Sequence, residues 1–166
     1  LTSHSAQVYE AADVLSPPVD EAFSQTIDAV IVLAGLAGSI HSGRRRAAIA
    51  HAIHDRLTWF PETQGTLHGE KVGFGLLSQL VLEGKADEAV SLAALFRRIG
   101  LPVTLEDLGF KPSRLKAHQD IASGIQLPEE AKAALAFDAS PARIAQAIAG
   151  ADAIGRTAAA NLMTGS

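Results

Sequence analysis

Cysteine is absent from the chain. Disulfides, iron–sulfur clusters, thiolate zinc sites and a cysteine nucleophile are excluded together, and any metal must be held by His, Asp, Glu or water. A run long enough to cross a bilayer is also missing. The longest apolar stretch, AVIVLAGLAGSI from Ala29 to Ile40, falls short of the roughly 18 to 20 residues that a crossing needs. It reads as a buried helix, and no membrane association is expected. No basic segment or cleavage site opens the sequence, so the expected location is cytoplasmic. Neither sign of charge dominates: 14 Lys and Arg stand against 18 Asp and Glu, a net charge of −4. Nucleic acid is therefore not an expected partner. Strict apolar/polar alternation is missing too, which removes the main signature of half-buried strands. No internal repeat or low-complexity linker occurs.

What is present is helical periodicity. A chain of 166 residues with 48% hydrophobic content can form one domain, removing roughly 70% of its unfolded surface from water. Val8, Ala11, Ala12 and Leu15 share one helical face, as do Leu77, Leu80 and Val81, and the expected fold is an all-α helical bundle. SPP at Ser16 to Pro18 closes a first helix. A second begins near Val19, with Asp20 and Glu21 at its positive end, and runs to about Leu36. Gly35, Gly38 and HSG at His41 to Gly43 punctuate its end. The next helix spans about Arg45 to Leu57. FPETQGT at Phe60 to Thr66 reads as a loop leading to a helix that starts at His68, for which Gly84 is the expected C-terminal stop. Asp87 to Ile99 forms another amphipathic helix, stopped by GLP at Gly100 to Pro102. Thr104 with Asp107 fits a capping box for a short helix. Ser140 followed by Pro141 marks the start of the last helix, with Ser as N-cap and Pro in the first turn.

Three of the six histidines fall between Ala48 and Lys71. His51 and His54 are three residues apart, so on a helix they project from roughly one face. His68 follows a Pro/Gly loop that can return it to the first two. Neutral imidazole suits zinc or ferrous iron, and a catalytic zinc takes three protein ligands and leaves a position open. Spacing alone does not settle the matter, and by itself favours the plainer reading of His51 and His54: half-buried histidines on a helix can make hydrogen bonds and bind nothing.

The wording around them carries more. AHAIHDRLT followed by LHGEKVGFGLLSQLVLEG resembles the metal-binding segment of the glycerol dehydrogenases, a branch of the iron-containing alcohol dehydrogenase superfamily, whose pattern runs approximately AHAIHNGLT and then HGEKVAFGTLVQLVLE. AALFRRIGLPVTLEDLGF and AFDASPARIAQAIAGADAIG resemble later stretches of the same family. The resemblance covers most of residues 20 to 158 and is densest from Ile49 to Gly84.

The resemblance implies a dehydroquinate-synthase-like C-terminal helical domain in which His51 and His68 are metal ligands. His54 is implied as a catalytic neighbour that moves the proton leaving the substrate hydroxyl. The metal, zinc or Fe(II), would act as a Lewis acid on a small alcohol or polyol, and hydride would pass to NAD. Zinc lowers the pKa of bound water from ~15.7 to about 7, and a bound alcohol should respond in the same sense. A homo-oligomer is also implied.

Departures from the family pattern define further expectations. Its members are about twice this length, with an N-terminal α/β domain that binds NAD, so residues 1–166 are read as the helical metal-binding domain alone. The NAD-binding domain and the third ligand, an aspartate, are expected to be absent, and the chain alone is expected to be inactive. GFG at Gly73 to Gly75 follows no strand and is not read as a dinucleotide loop. Arg44, Arg45 and Arg46 precede the metal helix, where they are either a solvated helix end or a contact for an acidic group. Trp59 and Phe60 are read as core or as a cleft wall, Glu70 and Lys71 as exposed charges, and His4, His41 and His118 as surface residues. The competing function is a non-catalytic helical module that acts by association.

Overall fold

The computed structural model describes residues 21–28, 49–114, 116–133 and 135–164. The expected helix around Val8 to Leu15, the apolar run at Ala29 to Ile40, and His4, His41 and Arg44 to Arg46 lie outside them. Contacts divide the chain into two units, Leu1–Arg45 and Arg46–Ser166. In the first, helix α1 spans Glu21–Asp28, within the range expected from the sequence. Glu21 stands in its first turn, where a carboxylate suits the helix dipole, and accepts a hydrogen bond from Gln25 Nε2 at 2.8 Å.

The second unit contains the other six α-helices of the described residues, α2 (Ile49–Leu57), α3 (His68–Leu82), α4 (Ala86–Arg98), α5 (Ala117–Ser123), α6 (Glu129–Ala133) and α7 (Pro141–Thr164), and a single 3-10 turn at Pro61–Thr63 within the α2–α3 loop. No strand occurs among the described residues, in line with the all-α reading. α7 is 24 residues long, about 36 Å at the helical rise, and packs against α3, α4 and α5. α3 packs in turn on α2 and α4. Phe74 and Leu77 of α3, Ile53 and Leu57 of α2, Ile121 of α5 and Ile144 and Ile148 of α7 are fully buried in one core. Each such side chain contributes on the order of 1.5–3 kcal/mol by leaving water.

The stops expected from sequence have a clear backbone basis. Gly84 has φ of 76° and Gly100 has φ of 78°, the left-handed conformation that glycine adopts without a Cβ penalty. At each the chain closes the same pair of bonds. Gly84 N–H donates to Val81 O at 3.1 Å and Lys85 N–H to Leu80 O at 2.8 Å; Gly100 N–H donates to Arg97 O at 3.2 Å and Leu101 N–H to Phe96 O at 2.8 Å. Carbonyls left over at the ends of α3 and α4 are thus satisfied.

The short helix expected at Thr104 does not form, although its capping box does. Asp107 N–H donates to Thr104 Oγ1 at 3.0 Å, and Thr104 N–H donates to Asp107 Oδ2 at 3.0 Å. The segment remains a turn because Gly109, at φ of 98°, reverses the chain after a single winding. Asp107 also receives the Arg97 guanidinium on both oxygens, at 3.0 and 3.1 Å, and Val103 N–H at 3.1 Å. Leu105 N–H donates to Asp152 Oδ1 of α7 at 2.7 Å. Asp107 thus pins the α4–α5 connection to α4, and Asp152 pins it to α7.

Two predictions follow from this packing. At Gly75 an added Cβ would overlap the Ala50 carbonyl oxygen of α2, and backbone cannot yield as a side-chain tip can. Gly75→Ala should lower stability by roughly 1–3 kcal/mol, the range for overpacking, despite alanine's better helix propensity, as read by urea denaturation. The second concerns Asp107. Burial pushes its carboxyl up, but the Val103 N–H, the bond with Thr104 and the Arg97 guanidinium together outweigh this and hold it below 3.8. A carboxyl lowered in the folded state stabilises above its unfolded value and loses that contribution as pH falls through the folded one. Asp107→Ala should therefore be less stable than wild type at neutral pH, with the gap closing below pH 3.8.

Candidate metal site

α2 buries Ile49, Ile53 and Leu57, one residue per turn, and this fixes where its histidines point. His51 is exposed and His54 is half-buried at the margin of the packed face. Two contacts with α3 hold the start of α2. Gly75 lies against the Ala50 carbonyl, and Gln79 Oε1 accepts Ala50 N–H at 3.1 Å.

The loop between the helices is tied at nearly every step. Thr63, fully buried, donates from Oγ1 to Leu57 O at 2.6 Å and lies 3.2 Å from Phe60 O, supplying a donor to the carbonyl end of α2. Thr66 Oγ1 donates to Thr63 O at 2.8 Å. Glu70 then reaches back to accept Leu67 N–H at 2.6 Å, the carboxylate arm of a capping box. Arg114 lies 5.1 Å from the Phe60 ring and 5.5 Å from that of Phe110, and pairs with Glu62. These contacts prop the loop from the other side.

Lys71 corrects its sequence reading. Only 6% of it is exposed, and its Nζ donates to Thr66 O at 2.6 Å. The ammonium thus fastens the carbonyl two residues before His68 to the first turn of α3. Phe60 is buried while Trp59 is 77% exposed, so the two aromatics divide between the core and the surface. GFG lies within α3 as expected: Gly75 faces Ala50, and a Cβ at Gly73 would rest 3.4 Å from the Phe96 ring. His118 is half-buried on α5, less exposed than its isolation in the sequence suggests.

The loop brings the three histidines together. His68 Nδ1 lies 2.9 Å from His54 Nε2, with the rings edge to face and their centres 4.3 Å apart. The ring centres of His51 and His68 are 6.1 Å apart. His54 Nδ1 lies 2.9 Å from Asp55 Oδ1. Both nitrogens of His54 are thus engaged, and His68, though exposed, is held through Nδ1.

This arrangement can be tested against a metal. Imidazole nitrogens at about 2.0–2.1 Å from a tetrahedral zinc place ring centres roughly 5 Å apart, so a small rotation of His51 or His68 would bring both onto one ion. The direct bond between His54 and His68 leaves no room for an ion between them. The donor chemistry suits zinc or ferrous iron. Among the described residues, however, no group of three or more His, Asp or Glu is arranged to hold a metal. The fit is that of two imidazoles needing further ligands from outside that set.

No protein-family model matches the chain. It is 37% identical to an uncharacterized oxidoreductase of Synechocystis sp., over 80% of this chain and 36% of that protein. It is 32% identical to a glycolaldehyde reductase of Halobacterium salinarum, over 94% of this chain and 41% of the relative. Among solved structures it is similar to glycerol dehydrogenase from Schizosaccharomyces pombe, with a TM-score of 0.72 and 27% identity, over 97% of this chain and 39% of that one. Further relatives include glycerol dehydrogenases of Escherichia coli and Citrobacter freundii. The chain spans less than half the length of each of these relatives.

The Lys71 tie yields a prediction about the loop. Lys71→Met keeps the apolar stem but removes the donor to the Thr66 carbonyl. A buried bond to a charged group is worth roughly 1.5–3 kcal/mol, and denaturation should show a loss of that order, together with altered NMR signals from His68.

Proposed function

We propose, on the premise that this chain belongs with the glycerol dehydrogenases and related oxidoreductases and corresponds to their C-terminal region, that it is the metal-holding helical domain of an NAD-dependent alcohol or polyol dehydrogenase. The observation that carries this reading is the meeting of three histidines from two helices, with His51 and His68 at 6.1 Å and His54 bonded to His68. His51 and His68 are the proposed ligands, and a third would come from outside the described residues. When bound, zinc or ferrous iron supplies a Lewis acid that eases ionisation of the substrate hydroxyl.

The chain's own residues have separate tasks. The α2–α3 packing and the tied loop hold the two ligand rings at near-binding distance, so little ordering remains when a metal arrives. His54 is the proposed proton carrier. To take the hydroxyl proton, its Nε2 exchanges His68 for the substrate; its Nδ1 stays on Asp55, whose side chain is 76% exposed and open to water. NAD, the proposed hydride acceptor, would be bound mainly by residues beyond this helical domain, since its sequence contains no glycine-rich strand–turn–helix unit. The substrate class is a small alcohol or polyol, and the proposed assembly is a cytoplasmic homo-oligomer.

A second reading, a helical module that acts by association without catalysis, draws on Trp59 and Leu67. They are 77% and 71% exposed and flank the histidine loop, where bare apolar side chains suit a covering partner. Metal binding separates the two. Zinc content and NAD-linked glycerol oxidation should be measured in the full-length protein and in its His51→Ala and His68→Ala variants. Loss of a ligand should weaken zinc by at least about a hundredfold, the upper end for mere supporting residues, and abolish turnover. Unchanged metal content in both variants would overturn the dehydrogenase reading.

A further inference from the structure

We infer that Asp55 is a positioning residue which, acting through His54, decides which nitrogen of His68 carries the lone pair; the inference rests on the metal reading of His68. It follows from counting donors and acceptors. A carboxylate offers only acceptor oxygens, so at 2.9 Å from Asp55 Oδ1 the His54 Nδ1 carries the hydrogen. In its neutral form His54 has one N–H, and with that hydrogen on Nδ1 its Nε2 is bare. His68 Nδ1, 2.9 Å from that bare nitrogen, must donate to it. The lone pair of His68 is left on Nε2, in the form a metal requires.

The bond between the two histidines does not choose this direction itself. With the hydrogen on His54 Nε2, the same pair would make an equally good bond to a bare His68 Nδ1, and His68 Nε2 would then be protonated and closed to metal. Asp55 breaks that symmetry, because only one direction gives its carboxylate a hydrogen. The result is a relay of carboxylate, histidine and ligand histidine, one link longer than the common pattern in which a carboxylate holds the ligand imidazole directly. The same tautomer leaves His54 Nε2 able to accept a proton, as the proposed carrier must. The three side chains lie within one turn of α2 and the first residue of α3, and the Asp55 side chain is 76% exposed. Its removal therefore tests the relay without opening the core.

Nitrogen NMR of histidine-labelled, metal-free protein distinguishes protonated from bare ring nitrogens. In the wild type, His54 and His68 should both show the hydrogen on Nδ1 and a bare Nε2. Asp55→Ala should raise the Nε2-protonated fraction of both rings and weaken zinc binding about tenfold, the lower end for supporting residues, because Asp55 is so exposed. Protonated Nε2 on His68 in the wild type would overturn the inference, as would tautomers or a zinc affinity unchanged by Asp55→Ala. The tautomers are read without metal, so a full-length wild type that shows the expected pattern yet takes up no zinc would sink the metal reading and leave the relay standing.

Discussion

The close approach of α2 to α3 at Ala50 and Gly75 is the constraint on which the site depends. Two helices can come this near only where one lacks a Cβ, and Gly75 supplies that gap. Gln79, one turn further along α3, takes the Ala50 N–H, so the backbone of α2 is held by contact and by hydrogen bond at the same residue. His51 follows immediately. With Ile49, Ile53 and Leu57 committed to the core, α2 cannot rotate, and its histidines keep their place relative to the start of α3. The resemblance to the glycerol dehydrogenases is densest over the same stretch, Ile49 to Gly84, in which these two helices meet.

Much of the helical architecture was legible because it rests on local rules. Gly84 and Gly100 mark helix ends by the conformation they alone adopt easily, and Ser140 with Pro141 marks the start of α7. The turn at Thr104 was half legible. Its capping pair is local and forms, but Gly109 limits its length, and the Asp107 carboxylate is shared with Arg97 and Val103, which no local pattern reveals. Trp59 and Phe60 are adjacent at the end of a helix, where direction changes with each residue, so one enters the core and the other does not.

For the site, spacing put His51 and His54 on one face but could not rank them. Which histidine bonds to His68 depends on the path of a ten-residue connection, residues 58–67, and that path is set by Thr63, Thr66, Glu70 and Lys71. Lys71 was the hardest to read. A lysine in a helix's first turn ordinarily extends into water; here it folds back because the loop carbonyl of Thr66 is presented to it. Asp55 carried no signal of its own in the sequence, since its importance arises only when His54 is seen to be bonded on both sides.

Trp59 is the only tryptophan in the chain, and it stands 77% exposed, two residues past the end of the helix that carries His51 and His54. A guanidinium, that of Arg56, lies 5.9 Å from its ring. The indole emission of the molecule consequently reports on one surface alone, the edge beside the histidine loop, while the core on the far side of α2 is optically silent. Any group brought against that edge would change the colour of the one indole.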